Sequence, residues 1–316
     1  MSTTQQGTSR YTQCAGYEIH YTEWGAADAP VVIAWHGLAR TGRDMDELAA
    51  HLSDRYRVIC PDTLGRGLSQ WSRQPKEEYC LQFYARMAAD LFDQLKIERA
   101  HWVGTSMGGA IGTVCASGLF EPALRGRILS LTLNDNGPQL AQAAIERIRS
   151  YTGSPPAFAT VTELEAFFRQ VYKPYGWLSD VQWKLLTESS VRRLPDGRVT
   201  PHYDPAMVQQ FTAHPDDYRI WDIKAAMMRR WMISACAAAF NPEGVSAHGV
   251  LVLQGDQYLG KTKWFKQLVP AHLGVIQDGL MLRPDDRDSV KQVVSYWLVE
   301  LGELDATFRK RSEEHT

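Results

Sequence analysis

What the sequence lacks narrows its class first. It contains no run of about 18 apolar residues, so no membrane-spanning helix is expected. Its first ten residues are polar, so no leader peptide is expected either. An excess of one charge is absent. The 34 Lys and Arg against 36 Asp and Glu leave a formal net charge of -2, which gives no bulk attraction to nucleic acid or anionic lipid. Cysteine is sparse: Cys14, Cys60, Cys80, Cys115 and Cys236 are odd in number, scattered and without metal-ligand spacing. They are expected to be buried thiols of a reducing, cytoplasmic compartment. No Pro/Gly/Ser-rich linker marks a boundary, since Asn241-Pro242-Glu243-Gly244 is a turn rather than a tether. What remains is ordinary for a globular protein: 316 residues, 44% hydrophobic and 22% charged, enough to bury a full core in one large domain or two modest ones. No feature of the composition dictates an oligomeric state.

Among the features present, Val103-Gly104-Thr105-Ser106-Met107-Gly108-Gly109 stands out, because it follows an apolar run and opens onto a small-residue helix. Gly-x-Ser-x-Gly is the spacing that puts a serine on a strained strand-to-helix turn. The flanking glycines leave room for that turn, and the free N–H groups of a helix starting at Met107 point at the site. Before it, Tyr11–Cys14 and Tyr17–Trp24 read as a hairpin turned at Ala15-Gly16. Val31–Trp35 reads as a strand covered on both faces and ending at His36-Gly37-Leu38. Asp44–Leu52 has helical spacing, Arg57–Cys60 is a short strand, Tyr79–Ile97 is a long amphipathic helix and Ala100–Val103 delivers Ser106. Ile128–Asn134 is a further strand, ending at Asp135-Asn136-Gly137-Pro138. Strands alternating with helices imply an α/β fold with a mostly parallel, doubly wound sheet.

These residues resemble the α/β-hydrolase family over about residues 11–222. The family has a strand ending in His-Gly, matched by His36-Gly37, and an Asp-x-x-Gly-x-Gly-x-Ser turn, matched by Asp62, Gly65, Gly67 and Ser69. The resemblance implies acyl transfer on a small-molecule ester, lactone or other acyl substrate, without a cofactor. Ser106 would be the nucleophile, and the N–H groups of Leu38 and Met107 would form the oxyanion hole. Serine at this position argues against the epoxide-hydrolase and haloalkane-dehalogenase branches. His36 is expected to shape the loop rather than act as a base. Residues 139–222 stand where the family inserts a helical lid, here rich in aromatics (Phe158, Phe167, Phe168, Tyr172, Tyr175, Trp177, Trp183, Phe211). Most of these rings are expected to pack the lid. His202 and His214 are expected to be surface or capping residues.

A serine nucleophile needs a histidine to take its proton and a carboxylate to orient that histidine. The family places the acid in a Gly-x-x-Asp turn, but Gly255-Asp256-Gln257-Tyr258 puts Tyr258 there. It places the histidine after a strand expected at Leu273–Ile276, where Gln277-Asp278-Gly279-Leu280 offers Leu280. His248 and His272 precede strands and His315 is next to last. Asp135 is a plausible acid at the position some branches use. The triad is expected to be incomplete, with no imidazole at Ser106.

Gly255-Asp256-Gln257-Tyr258-Leu259-Gly260-Lys261-Thr262 also reads as Gly-x-x-x-x-Gly-Lys-Thr, a phosphate loop after a strand at Gly249–Gln254. Gly255 and Gly260 would let the backbone cradle phosphates, Lys261 would reach the β and γ groups, and Thr262 would ligate Mg²⁺ of Mg-ATP. Tyr296–Glu300 reads as a Walker B strand with Glu300 acting on the metal and Glu303 orienting water. Arg230-Trp231-Met232-Ile233-Ser234-Ala235, Lys261–Phe265 and Val299–Thr307 make residues 227–310 resemble the virulence-associated E family of P-loop ATPases, related to primase-helicase proteins. That resemblance stops short of the family's sensor and arginine-finger region, so nucleic-acid binding is not expected to be retained.

The organisation expected is therefore a hydrolase core (1–138), a helical lid (139–222) and a P-loop-like segment (223–316), joined near Lys224. The tail's strands are expected to complete the open hydrolase sheet. Three functions follow: a serine hydrolase with an incomplete triad, a Mg-ATP-binding P-loop protein, or an inactive fusion of the two.

Overall fold

Alternation of side chains along Val31–Trp35 sets the core. The computed structural model describes residues 6–137, 139–140, 142–173, 176–240, 266–267, 271–274, 276–280, 286–294 and 298–301. In β3 (Val31–Trp35), Val32 and Ala34 face one side of the sheet, and Ile33 and Trp35 face the other, the period of two that a strand dictates. The chain divides into two compact units, Met1–Met227 and Met228–Thr316.

The first unit is built on a six-stranded sheet ordered β1-β2-β4-β3-β5-β6. β1 (Thr8–Cys14) and β2 (Tyr17–Trp24) form the expected antiparallel hairpin, and β2 pairs antiparallel with β4 (Arg57–Pro61). β4, β3, β5 (Ala100–Thr105) and β6 (Ile128–Asn134) are parallel. Residues Gly42–Met45 make a turn of 3-10 helix before α1 (Asp46–Leu52), which packs Ala49 against Val32, Val58 and Cys60 on one face. The short α2 (Pro75–Glu78) leads into α3 (Leu81–Gln94), which covers the opposite face together with α4 (Met107–Ser117). Trp35 and Trp102 stack beneath them, 5.0 Å between ring centroids.

The helix expected over Tyr79–Ile97 is shorter at both ends. Cys80 is extended, and its sulfur caps the Phe83 N–H, so the helix starts at Leu81 and stops at Gln94. Tyr79 satisfies the helical apolar spacing but donates its hydroxyl to Asp204 at 2.5 Å, which holds it outside the helix.

Residues 142–213 form α5 (Gln142–Thr152), α6 (Val161–Val171), α7 (Asp180–Glu188), the hairpin β7 (Val191–Arg193) and β8 (Val199–Pro201), a 3-10 turn at Pro205–Gln209 and α8 (Gln210–Ala213). α6 and α7 each begin with a capping box, Thr160 with Glu163 and Ser179 with Gln182. Leu164, Phe168, Tyr172, Trp183 and Val199 form their own apolar cluster, so these rings hold residues 142–213 together, as expected for most of them. Trp177 is 85% exposed and Tyr175 lies outside the described residues. α9 (Trp221–Phe240) follows.

In the second unit, β9 (Ile276–Leu280), α10 (Arg287–Val294) and β10 (Leu298–Leu301) make a βαβ succession whose strands pair in parallel. The strand expected at Leu273–Ile276 is displaced. Ala271–Leu273 is a 3-10 turn, and Gln277–Leu280, expected to be the turn after the strand, is the strand itself. Pairing of Gln277 with Val299 and of Leu280 with Leu301 outweighs the turn propensity of Asp278-Gly279. The strand expected at Gly249–Gln254 lies outside the described residues.

No helix among the described residues is long and apolar enough to cross a membrane. Cys14, Cys60, Cys80 and Cys115 are free and buried. At Gly108 backbone packs directly on backbone: a Cβ there would lie 2.2 Å from the Trp35 carbonyl oxygen. Gly108→Ala is expected to destabilise the first unit by about 3 kcal/mol, read as a lower urea midpoint; an unchanged midpoint contradicts this packing.

Candidate active site

β5 ends at Thr105 and α4 begins at Met107, leaving Ser106 alone in the turn with φ 50 and ψ -111. A non-glycine residue there is strained, and it persists only where its surroundings fix it. Here the Ser106 N–H donates to Asn134 O at 2.9 Å, and its carbonyl accepts from Gly109 N, Ala110 N and Asn136 Nδ2 at 3.0, 3.1 and 2.7 Å. The backbone is pinned on every side while the hydroxyl makes no capping bond to its own helix. The hydroxyl is thereby presented rather than consumed. Close approach makes this possible: a Cβ on Gly104 would meet the Gly108 carbonyl oxygen at 2.3 Å.

The loop after β3 runs beside this turn. Gly108 N donates to His36 O at 3.1 Å, and a Cβ on Gly37 would stand 3.8 Å from Ser106 Cβ. Leu38 therefore follows directly beside Ser106, its carbonyl held by Arg66 Nε at 2.9 Å. Met107 is buried at the first position of α4, among the N–H groups a helix leaves without an internal partner.

His36 is fully buried. Its Nδ1–H donates to Gly37 O at 2.6 Å, and Nε2 accepts from Thr63 N at 3.0 Å and from the Thr63 hydroxyl at 2.9 Å. Both ring nitrogens are used in shaping the loop. Burial pushes the imidazole down to about 4, against smaller upward pulls from Asp62 and the Gly37 carbonyl.

Asp62 anchors the neighbouring turn. Its carboxylate accepts from Gly42 N, Leu68 N and His20 Nδ1 at 2.6, 2.9 and 2.7 Å. Gly67, at φ 52, is forced: a Cβ there would lie 2.1 Å from Asp62 Oδ2. Burial alone would raise the Asp62 carboxyl, but the His20 hydrogen bond and charge, His36 and the Gly42 N–H together hold it below its ordinary value. Ser9 Oγ lies 2.6 Å from His20 Nε2, so Ser9, His20 and Asp62 stand in triad order. Ser9 sits within the regular strand β1, paired with Thr22, with no strained turn behind it, and the set is a strut for the Asp62 turn.

The other described histidines are engaged elsewhere or lack a bond to Ser106. His51 bonds Glu47 O, His101 bonds the Ser130 hydroxyl, and His214 bonds Lys76 O, each at 2.7 Å. His202 is half-buried, and burial pushes its imidazole down. His248 and His315 lie outside the described residues. Among the described residues, no imidazole is hydrogen-bonded to Ser106 Oγ.

Asp135 follows β6 with φ 48, so two left-handed residues end adjacent parallel strands. Its side chain is exposed. The next residue, Asn136, donates to the Ser106 carbonyl and accepts at Oδ1 from Lys224 Nζ, which also donates to Asn136 O at 2.5 Å and Gly137 O at 3.0 Å. Burial pulls the Lys224 amine down to about 8. Neither Asn136 nor Arg66 was singled out by sequence. Asn136 was visible only as the neighbour of Asp135, and Arg66 only as the residue between two motif glycines. Arg40, in the loop after β3, pairs with Asp44 at 2.7 Å and stands 4.9 Å over the Tyr172 ring.

Gly255, Gly260, Lys261 and Thr262 lie outside the described residues, as does Glu303. Glu300 lies on β10, one residue before its end.

Comparison with known proteins accords with this geometry. Residues 30–225 match the alpha/beta hydrolase fold family, and residues 206–315 match the virulence-associated protein E-like domain, which begins earlier than the 227 expected from sequence. The chain is 38% identical over 209 residues to a 3-hydroxybutyrate-oligomer hydrolase from Cupriavidus necator, covering 64% of this chain and 69% of that one. Its fold is similar to a crystal structure from Rickettsia typhi at 26% identity and TM-score 0.62, covering 72% of this chain and 78% of the other. It is also similar to an alpha/beta hydrolase from Novosphingobium aromaticivorans at 30% identity and TM-score 0.57, covering 64% and 70%. The chain belongs to the α/β-hydrolase fold family, with a virulence-associated protein E-like segment following the hydrolase region.

The buried His36 sets an acid limit. An unfolded histidine takes up its proton near 6.5, whereas this one does so only near 4, so stability is full above 6.5 and falls between these values. A loss of about 3 kcal/mol from this group is expected across that window, measured as urea-unfolding free energy against pH. Unchanged stability from pH 7 to 4 contradicts a neutral His36 in the fold.

Proposed function

We propose that this protein is a serine hydrolase of small esters, with Ser106 as the nucleophile. The observation that carries the reading is the strained φ of Ser106 at the β5–α4 turn, which presents its hydroxyl next to the Gly37–Leu38 loop. Attack of Ser106 Oγ on an acyl carbon forms a tetrahedral oxyanion, and in this reading the N–H groups of Leu38 and Met107 receive it. The alkoxide then leaves as the acyl-serine forms, and water releases the acid. The similarity to a 3-hydroxybutyrate-oligomer hydrolase favours esters of short hydroxy acids as substrates. Among the described residues no imidazole bonds the Ser106 hydroxyl, so in this reading Asp135 stands at an acid position without a histidine among them to orient, and the proton of Ser106 passes to water or to the leaving group. Turnover is accordingly slow.

A second reading is favoured by one feature of the other unit. β9, α10 and β10 form a parallel βαβ succession, as a P-loop core requires, within the range that matches the virulence-associated protein E-like domain. In this reading Gly255, Gly260, Lys261 and Thr262 hold Mg-ATP and Glu300 acts at the metal. Calorimetric titration with Mg-ATP is expected to give heat that Lys261→Ala removes; equal traces for both chains contradict it.

The hydrolase reading is tested with a fluorophosphonate. One adduct by intact mass, mapped to Ser106 and absent from Ser106→Ala, is expected, together with a loss of the acyl-enzyme burst in that variant. A folded chain left unlabelled at Ser106 contradicts the reading.

A further inference from the structure

We propose that Arg66 is a positioning residue for the oxyanion site, fixing both donor residues at once and placing a permanent positive charge behind them. The inference rests on the ester-hydrolase reading of Ser106. Arg66 is completely buried, which is rare for an arginine. Its Nε donates to Leu38 O at 2.9 Å and its Nη2 reaches Met107 Sδ at 3.6 Å. Leu38 lies in the loop after β3 and Met107 opens the helix after β5, and this guanidinium bonds them both. Its remaining group, Nη1, donates to Leu64 O at 2.7 Å and to the Tyr84 hydroxyl at 2.8 Å, and the Tyr79 and Tyr84 rings stand 5.3 and 5.4 Å from Cζ.

None of these partners carries a formal negative charge. The nearest carboxylate in this network is reached only through Tyr79, whose hydroxyl donates to Asp204. A buried cation with neutral partners is expensive to keep, and an apolar side chain of similar length would fill the space at lower cost. An oxyanion forming between Leu38 and Met107 is the missing countercharge. A fixed cation stabilises that charge without reorganising when it forms. The field of Arg66 is felt in this same loop, where it helps depress the His36 imidazole. Its place between Gly65 and Gly67, in a turn locked by Asp62, prevents the guanidinium from relaxing away.

A structural tie and an oxyanion device differ in what they stabilise. A tie affects folding, whereas an oxyanion device affects the tetrahedral adduct more than the bound substrate. The full chain, Arg66→Lys, Arg66→Met and Ser106→Ala are compared by thermal melting, by kcat and KM for p-nitrophenyl butyrate, and by the Ki of an alkylboronic acid, whose serine adduct carries a tetrahedral oxyanion. For Arg66→Met, the expected result is a ~10–100-fold loss in kcat and in boronate affinity with KM within ~2-fold, from a protein still folded at the assay temperature. Arg66→Lys keeps the charge but loses the fork, and is expected to lose ~3–10-fold in both. Should Arg66→Met fail to fold, Arg66→Lys decides alone. A folded variant with wild-type kcat and boronate affinity overturns the proposal, as does a loss confined to KM or melting temperature. If the wild-type chain binds the boronate no better than Ser106→Ala, the ester-hydrolase reading itself fails, and this proposal with it.

Discussion

The contact on which the site depends is backbone against backbone. The first turn of α4 lies so close to the end of β3 that no side chain fits at Gly108, and the Gly108 N–H closes the gap by donating to His36 O. That approach leaves Ser106 in a left-handed conformation, and four hydrogen bonds to its main chain hold it there. Packing around the turn sustains strain that the serine would otherwise release. Two consequences follow: the hydroxyl stays out of its own helix, and the Gly37–Leu38 loop is brought alongside it.

Around that contact the polar core is organised by charge rather than by area. Asp62 gathers three N–H donors and thereby fixes the turn carrying Arg66, and Arg66 in turn holds Leu38, Leu64 and Tyr84. His36 is kept neutral by burial and uses both nitrogens to tie its loop to Thr63. A chain of buried, satisfied groups thus runs from the β1–β2 hairpin to the loop beside the Ser106 turn. Such a network is costly to leave half made, which is why it fixes a single arrangement.

Much of the first unit could be read in the sequence. Gly-x-Ser-x-Gly and Asp-x-x-Gly-x-Gly-x-Ser are legible because each glycine answers a steric demand: the carbonyl at Trp35 for Gly108, the Asp62 carboxylate for Gly67. The parallel strands were legible from their apolar runs. Arg66 was not, because an arginine between two glycines has the composition of a solvated turn, and only the tertiary fold buries it. The Lys224–Asn136 contact joins residues 88 positions apart, and no local pattern encodes it. Errors at element ends have similar causes. Tyr79 fits the helical spacing of α3 but is held by Asp204, and Asp278-Gly279 has turn chemistry but is drawn into β9 by pairing with β10.

The two family matches meet within one chain, overlapping at residues 206–225, and the hydrolase match ends at 225, just past Lys224. The amine of Lys224 grips Asn136 and Gly137, and Asn136 grips Ser106, so the last residues of the hydrolase match bear on the Ser106 turn. The account rests on the conformation of a single residue, and a crystal structure of the chain resolving that turn measures it directly. The account predicts a positive φ at Ser106, with its N–H on Asn134 O and its hydroxyl free of α4. A Ser106 with helical φ, folded into the first turn of α4, would contradict it.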